Sequence, residues 1–262
     1  MKTGTFGDVA ELLLREHANG TEYHRLSPET GVTNLEAAYA VQRRYVDLMI
    51  PEAGEPAGYK IGLTSARMQQ MCNIDSPLAG IVLASRVLRS GVALSLDHYG
   101  RLGLEFEVCV RLGGDLPPQQ RPFTKEEIAK SVDAICAAVE IVDDRNADYS
   151  TLEALSLIAD NAWNAGVVLG DFTTSFGDLE AARGIVLVNG QEADRGHARD
   201  VLGHPFVPLT WLANHLAASG RGLKAGDIVM TGSVIPTRFP KDACSYRFDL
   251  SGVGSVDVAV TA

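Results

Sequence analysis

The segment Leu104-Glu105-Phe106-Glu107-Val108-Cys109-Val110 sets two carboxylates two residues apart in an apolar run. Successive strand side chains point to opposite faces, so Leu104, Phe106, Val108 and Val110 share one face and Glu105 and Glu107 the other. Two carboxylates so placed repel each other, and a hard divalent cation with its preference for oxygen ligands would hold them together. An edge strand with a solvated acidic face shows the same alternation. Glu140 adds a third carboxylate at the head of the apolar run Ile141-Val142, where an unpaired charge is costly to bury. A cation shared by Glu105, Glu107 and Glu140 removes that cost. A helix-end salt bridge or a path to water would do so too.

A candidate proton carrier lies in Tyr59-Lys60-Ile61-Gly62-Leu63-Thr64-Ser65. Lys60 sits between two apolar residues, which directs its ammonium inward. Burial there lowers a lysine pKa and suits the group to proton donation or charge stabilisation. Snorkelling from a strand end to water is the alternative. Gly62, Thr64 and Ser65 suggest a tight loop whose N–H groups can approach an anion. Ile228-Val229-Met230-Thr231-Gly232-Ser233 runs from a strand into small residues that admit a ligand close to the backbone, or simply turn. The six histidines show no metal-ligand spacing. Nucleophile-elbow, zinc-protease and P-loop motifs are absent, and Gly252-Val253-Gly254 lacks the following helix of a dinucleotide fingerprint.

These residues need elements to carry them. Apolar spacing predicts helices over 6–18, 34–49, 125–139 and 208–218, with Asn34 as an N-cap and Pro51 beyond the second helix. Short apolar runs bounded by Gly, Pro and Asp predict strands over 58–61, 104–110, 140–143, 165–169, 185–188, 227–231, 245–249 and 254–260. Strands dominate without regular alternation with helices, so the fold class is α+β: an N-terminal helical segment over 1–57 and a strand-rich domain over 58–262. A chain of 262 residues, 46% hydrophobic, buries a core without disulfides. Its net charge of −10 argues against a nucleic-acid partner. No run is long and apolar enough for a membrane span, and the first residues lack a secretion signal. With four scattered cysteines, a cytoplasmic location is expected.

Several segments stand in a suggestive order. Lys60-Ile61-Gly62-Leu63-Thr64-Ser65, the Glu105/Glu107 pair, Glu140-Ile141-Val142-Asp143, Ala159-Asp160-Asn161-Ala162, Leu202-Gly203-His204-Pro205, Ala225-Gly226-Asp227-Ile228 and Gly252-Val253-Gly254-Ser255-Val256 follow one another. Together they resemble the 2-keto-4-pentenoate hydratase / 4-oxalocrotonate decarboxylase group of the fumarylacetoacetate hydrolase superfamily, from about Glu36 to the C-terminus.

The resemblance implies a mixed β-roll core, a homo-oligomer, and Mg²⁺ or Mn²⁺ held by Glu105, Glu107 and Glu140. It implies a small-molecule 2-oxo or 2-hydroxydienoic acid substrate, with Lys60 in proton transfer or charge stabilisation and Asp160, Asn161 and Ser233 positioning substrate or water. Hydration to a 4-hydroxy-2-oxo acid in aromatic catabolism is the leading expectation. One departure favours the decarboxylase of a 2-oxo-enedioate instead. Where the hydratases carry an aspartate in a Pro-Asp-aromatic-Gly context, this chain reads Ser76-Pro77-Leu78-Ala79-Gly80. The superfamily's C–C hydrolases use a His–Glu pair, and His17 and His24 lie outside a recognisable version of it. A noncatalytic partner subunit is a third reading, opposed by the intact set of Lys60, Glu105, Glu107 and Glu140.

Overall fold

Alternating and continuous apolar runs resolve into twelve strands in a computed structural model, which describes residues 5–262. The strands are β1 Pro56–Gly62, β2 Leu78–Leu83, β3 Val87–Arg89, β4 Val92–Ser95, β5 Leu102–Leu112 and β6 Val132–Asp143. They continue with β7 Asn164–Leu169, β8 Arg183–Val188, β9 Gln191–His197, β10 Ile228–Ser233, β11 Cys244–Leu250 and β12 Gly254–Thr261. The helices are α1 Phe6–Ala18, α2 Leu35–Ala53, α3 Ala66–Met71, α4 Lys125–Ser131, α5 Ala154–Ala159 and α6 Phe206–Ala218. No helix among the described residues is long and apolar enough to cross a membrane.

Two mixed sheets form the body. One runs β2-β1-β10-β5-β6-β7-β3 and the other β4-β12-β11-β8-β9. Parallel pairing joins β1 to β10, β3 to β7 and β4 to β12, and the remaining neighbours are antiparallel. The apolar face of β5 packs toward the second sheet, where Phe106 lies 5.6 Å from Phe248 and 5.9 Å from Tyr246 between ring centroids. The opposite face of β5 carries the acidic pair.

The expected helix over 125–139 is corrected. It ends at Ser131, and Val132 begins β6. Ile128, Val132, Ile135 and Val139 do match a helical stripe. From Ala134 to Val142, however, every residue is buried, and a strand covered on both faces and flanked by β5 and β7 needs apolar residues at every position. Glu140 therefore stands inside a strand and not at a helix end. The second helix runs on to Ala53 through Pro51, which sits in the final turn where the helix is closing.

The N-terminal helices cap the site side of the larger sheet. α1 packs on α2, and α2 packs on α5. Gln42 of α2, itself buried, donates to the carbonyls of Ala79 (2.8 Å) and Ile158 (2.9 Å), tying the helix to β2 and to α5. Phe106 is fully buried, so we predict that Phe106→Ala lowers unfolding stability by about 3–5 kcal/mol. The check is a urea titration, and a loss below about 1 kcal/mol would mean that the sheets do not depend on this contact.

Candidate metal centre and active site

Register decides which side chains meet. Glu105 on β5 stands directly opposite Glu140 on β6, with Glu107 opposite Ala138. Lys60 on β1 stands opposite Met230 on β10, which in turn faces Cys109 on β5. Partners directly opposite share a face of the sheet, so the three glutamates and Lys60 project from one side. One carboxylate oxygen from each glutamate lies within 4.8 Å of those of the other two. Lys60 Nζ sits 3.1 Å from Glu140 Oε1. Glu107 and Glu140 are fully buried and Lys60 nearly so. Val82, Cys109, Cys136, Ala138, Val167 and Met230 continue this face as an apolar floor.

One oxygen of each carboxylate is fixed by a neutral donor. Thr237 Oγ1 donates to Glu105 Oε1 (2.6 Å), the Gly232 N–H to Glu107 Oε2 (2.7 Å) and Asn164 Nδ2 to Glu140 Oε1 (3.0 Å). Glu107 Oε1 and Glu140 Oε2 are buried with no partner. Two glycines clear the space. A Cβ at Gly80 would stand 2.9 Å from Lys60 Cγ, and one at Gly232 (φ +112°) would stand 2.2 Å from Thr64 Oγ1.

Three ionised carboxylates against one ammonium leave a net charge of −2. A divalent cation would cancel it, and the orphaned oxygens are the hard donors such an ion takes. Without it the charges distort each other. Burial, then Glu140 and Glu105, push the Glu107 carboxyl well above the usual range. Burial pushes Glu140 up to about 7, with Lys60 pulling against it. For Lys60, burial pulls the pKa down, but Glu140, Glu105 and Glu107 outweigh it and hold the group above the ordinary lysine value. Burial alone led to the opposite expectation.

A cavity of about 70 Å³ opens over Lys60 and Glu105, with Leu78, Tyr149, Ala162, Trp163 and Thr237 in its wall. The wall contains a strained turn, for Asn161, Ala162 and Trp163 have φ of 48°, 51° and 59°. Left-handed backbone costs a non-glycine residue roughly 1–2 kcal/mol, so something must hold it. Asn161 Oδ1 accepts from the Ile81 N–H (2.8 Å) and its Nδ2 donates to the Ile81 carbonyl (2.9 Å). Asp160 is clamped by Arg145 Nη2 (2.7 Å) and His17 Nε2 (2.6 Å).

Asp160 and Asn161 thus have their polar atoms on protein groups that shape the wall. Ser233 likewise accepts from the Phe106 N–H (3.0 Å) and donates to the Ile235 carbonyl (2.6 Å). His17 and His24 pair with Asp160 and Glu16. The sequence reading missed Asn164, Thr237 and the wall residues Tyr149 and Trp163. Asn164 lies just past the Ala159–Ala162 motif and was within reach of it, whereas Thr237 sits in a loop with no pattern to mark it.

Comparison with known proteins bears on the family and the fold. The profile of the family described as fumarylacetoacetate (FAA) hydrolase, C-terminal, matches residues 66–261. A 2-keto-4-pentenoate hydratase of Burkholderia vietnamiensis (strain G4 / LMG 22486) is 31% identical, over 98% of both chains. 2-Keto-4-pentenoate hydratase 1 of Dechloromonas aromatica (strain RCB) is 29% identical over 95% of this chain and 94% of its own. In fold, the chain is similar to 4-oxalocrotonate decarboxylase from Pseudomonas putida G7, complexed with magnesium and adipate, at a TM-score of 0.90, 22% identity and 97% coverage of both chains.

The raised Glu140 pKa sets a pH dependence. Between the ordinary 4.5 and about 7, the folded chain holds a proton that the unfolded chain has released, so this group's contribution to stability falls as pH rises through that window. Glu140→Gln lacks the effect. We predict that the melting temperature of the metal-free wild type drops relative to Glu140→Gln between about pH 5 and about pH 8, and that saturating Mg²⁺ restores it most at the upper end. Scanning fluorimetry across that range is the check. A constant gap between the two proteins would contradict the electrostatic account.

Proposed function

The chain belongs to the fumarylacetoacetate hydrolase family, and from that premise we propose that it is a divalent-metal-dependent hydratase of a 2-hydroxy-2,4-dienoic acid. The substrate is of the 2-oxopent-4-enoate type and the product a 4-hydroxy-2-oxo acid, in cytoplasmic aromatic catabolism. The observation that carries the reading is the cluster of half-buried Glu105 with buried Glu107 and Glu140, which has two unpartnered oxygens beside Lys60. Its support is the full-length likeness to 2-keto-4-pentenoate hydratases.

Glu105, Glu107 and Glu140 would hold Mg²⁺ or Mn²⁺. When bound, that ion supplies Lewis acidity at the substrate's C2 oxygen and stabilises charge there as the dienol loses its proton. Lys60 holds a proton at Nζ beside Glu140 and can deliver it or hydrogen-bond a developing oxyanion. Protonation at C5 of the dienolate gives an unsaturated ketone. Water then adds at C4 and a proton at C3. Asn164, Gly232 and Thr237 orient the carboxylates through the oxygens they hold, while the apolar wall limits the water reaching the site.

Leu78 favours a second reading. It is buried in the cavity wall where the hydratase resemblance expects an aspartate. Loss of carbon dioxide from a 2-oxo-enedioate would pass through the same kind of dienolate and need no acid at that position.

We predict that the protein with Mg²⁺ converts 2-hydroxypenta-2,4-dienoate to a product heavier by one water, and that chelation abolishes the reaction. Carbon dioxide release from 2-oxohex-3-enedioate, with no hydration of the first compound, would transfer the assignment to the decarboxylase. Lys60→Met is expected to lower kcat by about 10²–10⁴-fold while Mg²⁺ still binds, and normal turnover would remove Lys60 from the mechanism. Glu107→Gln should weaken Mg²⁺ binding by at least about tenfold, read by calorimetry, and unchanged affinity would refute the site.

A further inference from the structure

A second concentration of charge lies on the other side of the sheet from the glutamate cluster. Lys60 pairs with Gly80 and Tyr59 with Ile81, so Ile81 faces away from Lys60. On that far side Ile81 and helix α2 border a groove of about 430 Å³. Ala40, Arg43, Asp47 and Ile50 line it at helical spacing, with Arg44 beside them. Arg221 joins from the segment that follows α6. Among the described residues, three arginines against one aspartate leave this lining at +2, in a chain whose net charge is −10.

The aspartate does not serve the two inner arginines. Asp47 is 3.7 Å from Arg44, and both are exposed. Arg43 and Arg221 are half-buried, and among the described residues neither forms an ion pair. Residues 1–4, which precede Phe6 at the rim, include no acid. Arg221 Nη2 donates to the Tyr59 hydroxyl at 3.3 Å, and the Arg221 N–H is held by the Leu216 carbonyl (2.9 Å) as α6 closes. Burial, then Arg221, pull the Arg43 pKa below the usual arginine range, and Asp47 and Glu36 pull against them without prevailing. Two like charges are thus held near each other with no counter-charge of their own.

An anion would relieve that repulsion, and the forked donors of guanidinium groups match the oxygens of a phosphate. A phosphate monoester carries close to two negative charges at neutral pH, which answers the +2 of the lining. Phe6, Ile50, Pro56 and Ile81 give the same groove an apolar side, and Phe6 is 40% exposed. We infer that this groove binds a phosphate monoester, with the phosphate between Arg43 and Arg221 and the apolar organic part against Phe6, Ile50 and Pro56. The site is separate from the glutamate cluster and does not depend on the reaction proposed above.

The test titrates the full chain, loaded with Mg²⁺, with phenyl phosphate and with inorganic phosphate in a calorimeter, at an ionic strength held constant with sodium chloride. Phenyl phosphate is expected to bind at one site, at least about threefold more tightly than inorganic phosphate. Arg43→Gln and Arg221→Gln are each expected to weaken it by about tenfold or more. Asp47→Asn, on the exposed side of α2, is expected to strengthen it by about threefold, and this variant decides the matter if an arginine variant fails to fold. Glu107→Gln, at the glutamate cluster, is expected to leave it unchanged. No binding by the wild type, inorganic phosphate bound as tightly as the ester, or unchanged affinity in the folded arginine variants would overturn the inference. So would unchanged or weaker binding in Asp47→Asn, or loss of binding in Glu107→Gln, which would put the anion at the metal centre. Arginine variants that alter sedimentation while the wild type binds neither phosphate would mark the groove as a contact between copies of the chain, and would overturn it too.

Discussion

Mutual repulsion among Glu105, Glu107 and Glu140, each of which brings one oxygen within 4.8 Å of the others', is the constraint to which the surrounding structure answers. Lys60 supplies one positive charge, and neutral donors from Thr237, Gly232 and Asn164 fix one oxygen of each carboxylate. Neither measure balances three negative charges, two of them fully buried. A folded chain that keeps such a cluster gives up stability locally, because the ionised forms are disfavoured there. The same imbalance would make the cluster a strong seat for a dication. Under the proposed reading, stability and function pull against each other at this face.

The rest of the molecule holds the geometry that makes this possible. Pairing of β5 with β6 sets Glu105 against Glu140, and a slip of one residue would turn the acidic pair toward the Phe106 core. Gly80 leaves room for the Lys60 stem, and Gly232 allows its own N–H to reach Glu107. On the other side of the cavity, the left-handed turn at Asn161–Trp163 is kept in place by the Asn161 amide on Ile81 and by the pairing of Asp160 with Arg145 and His17. Because His17 lies on α1, the N-terminal helices take part in shaping the site wall.

Much of this was legible in the residues themselves. β5 announces itself because one face is apolar and the other acidic, and the inward Lys60 follows from its apolar neighbours in β1. Helix α1 was readable from spacing alone. β6 was not, since Ile128, Val132, Ile135 and Val139 fit a helical stripe while burial on both faces removes the alternation that marks a strand. β2 failed for the same reason, with all six residues buried, and β9 because its residues are mostly polar and exposed. The Lys60 pKa was misjudged because burial can be read from neighbours in sequence, whereas three carboxylates from other strands cannot. Asp160 and Asn161 stand out as a motif, but only the hydrogen-bond partners reveal that both brace the wall.

The account turns on where a cation sits, and a crystal of the protein soaked in Mn²⁺ addresses this directly through anomalous scattering. The account predicts one strong peak bounded by Glu105, Glu107 and Glu140, with the unpartnered oxygens of Glu107 and Glu140 turned toward it. A protein that takes up no Mn²⁺, or one whose peak lies away from these three carboxylates, would contradict it.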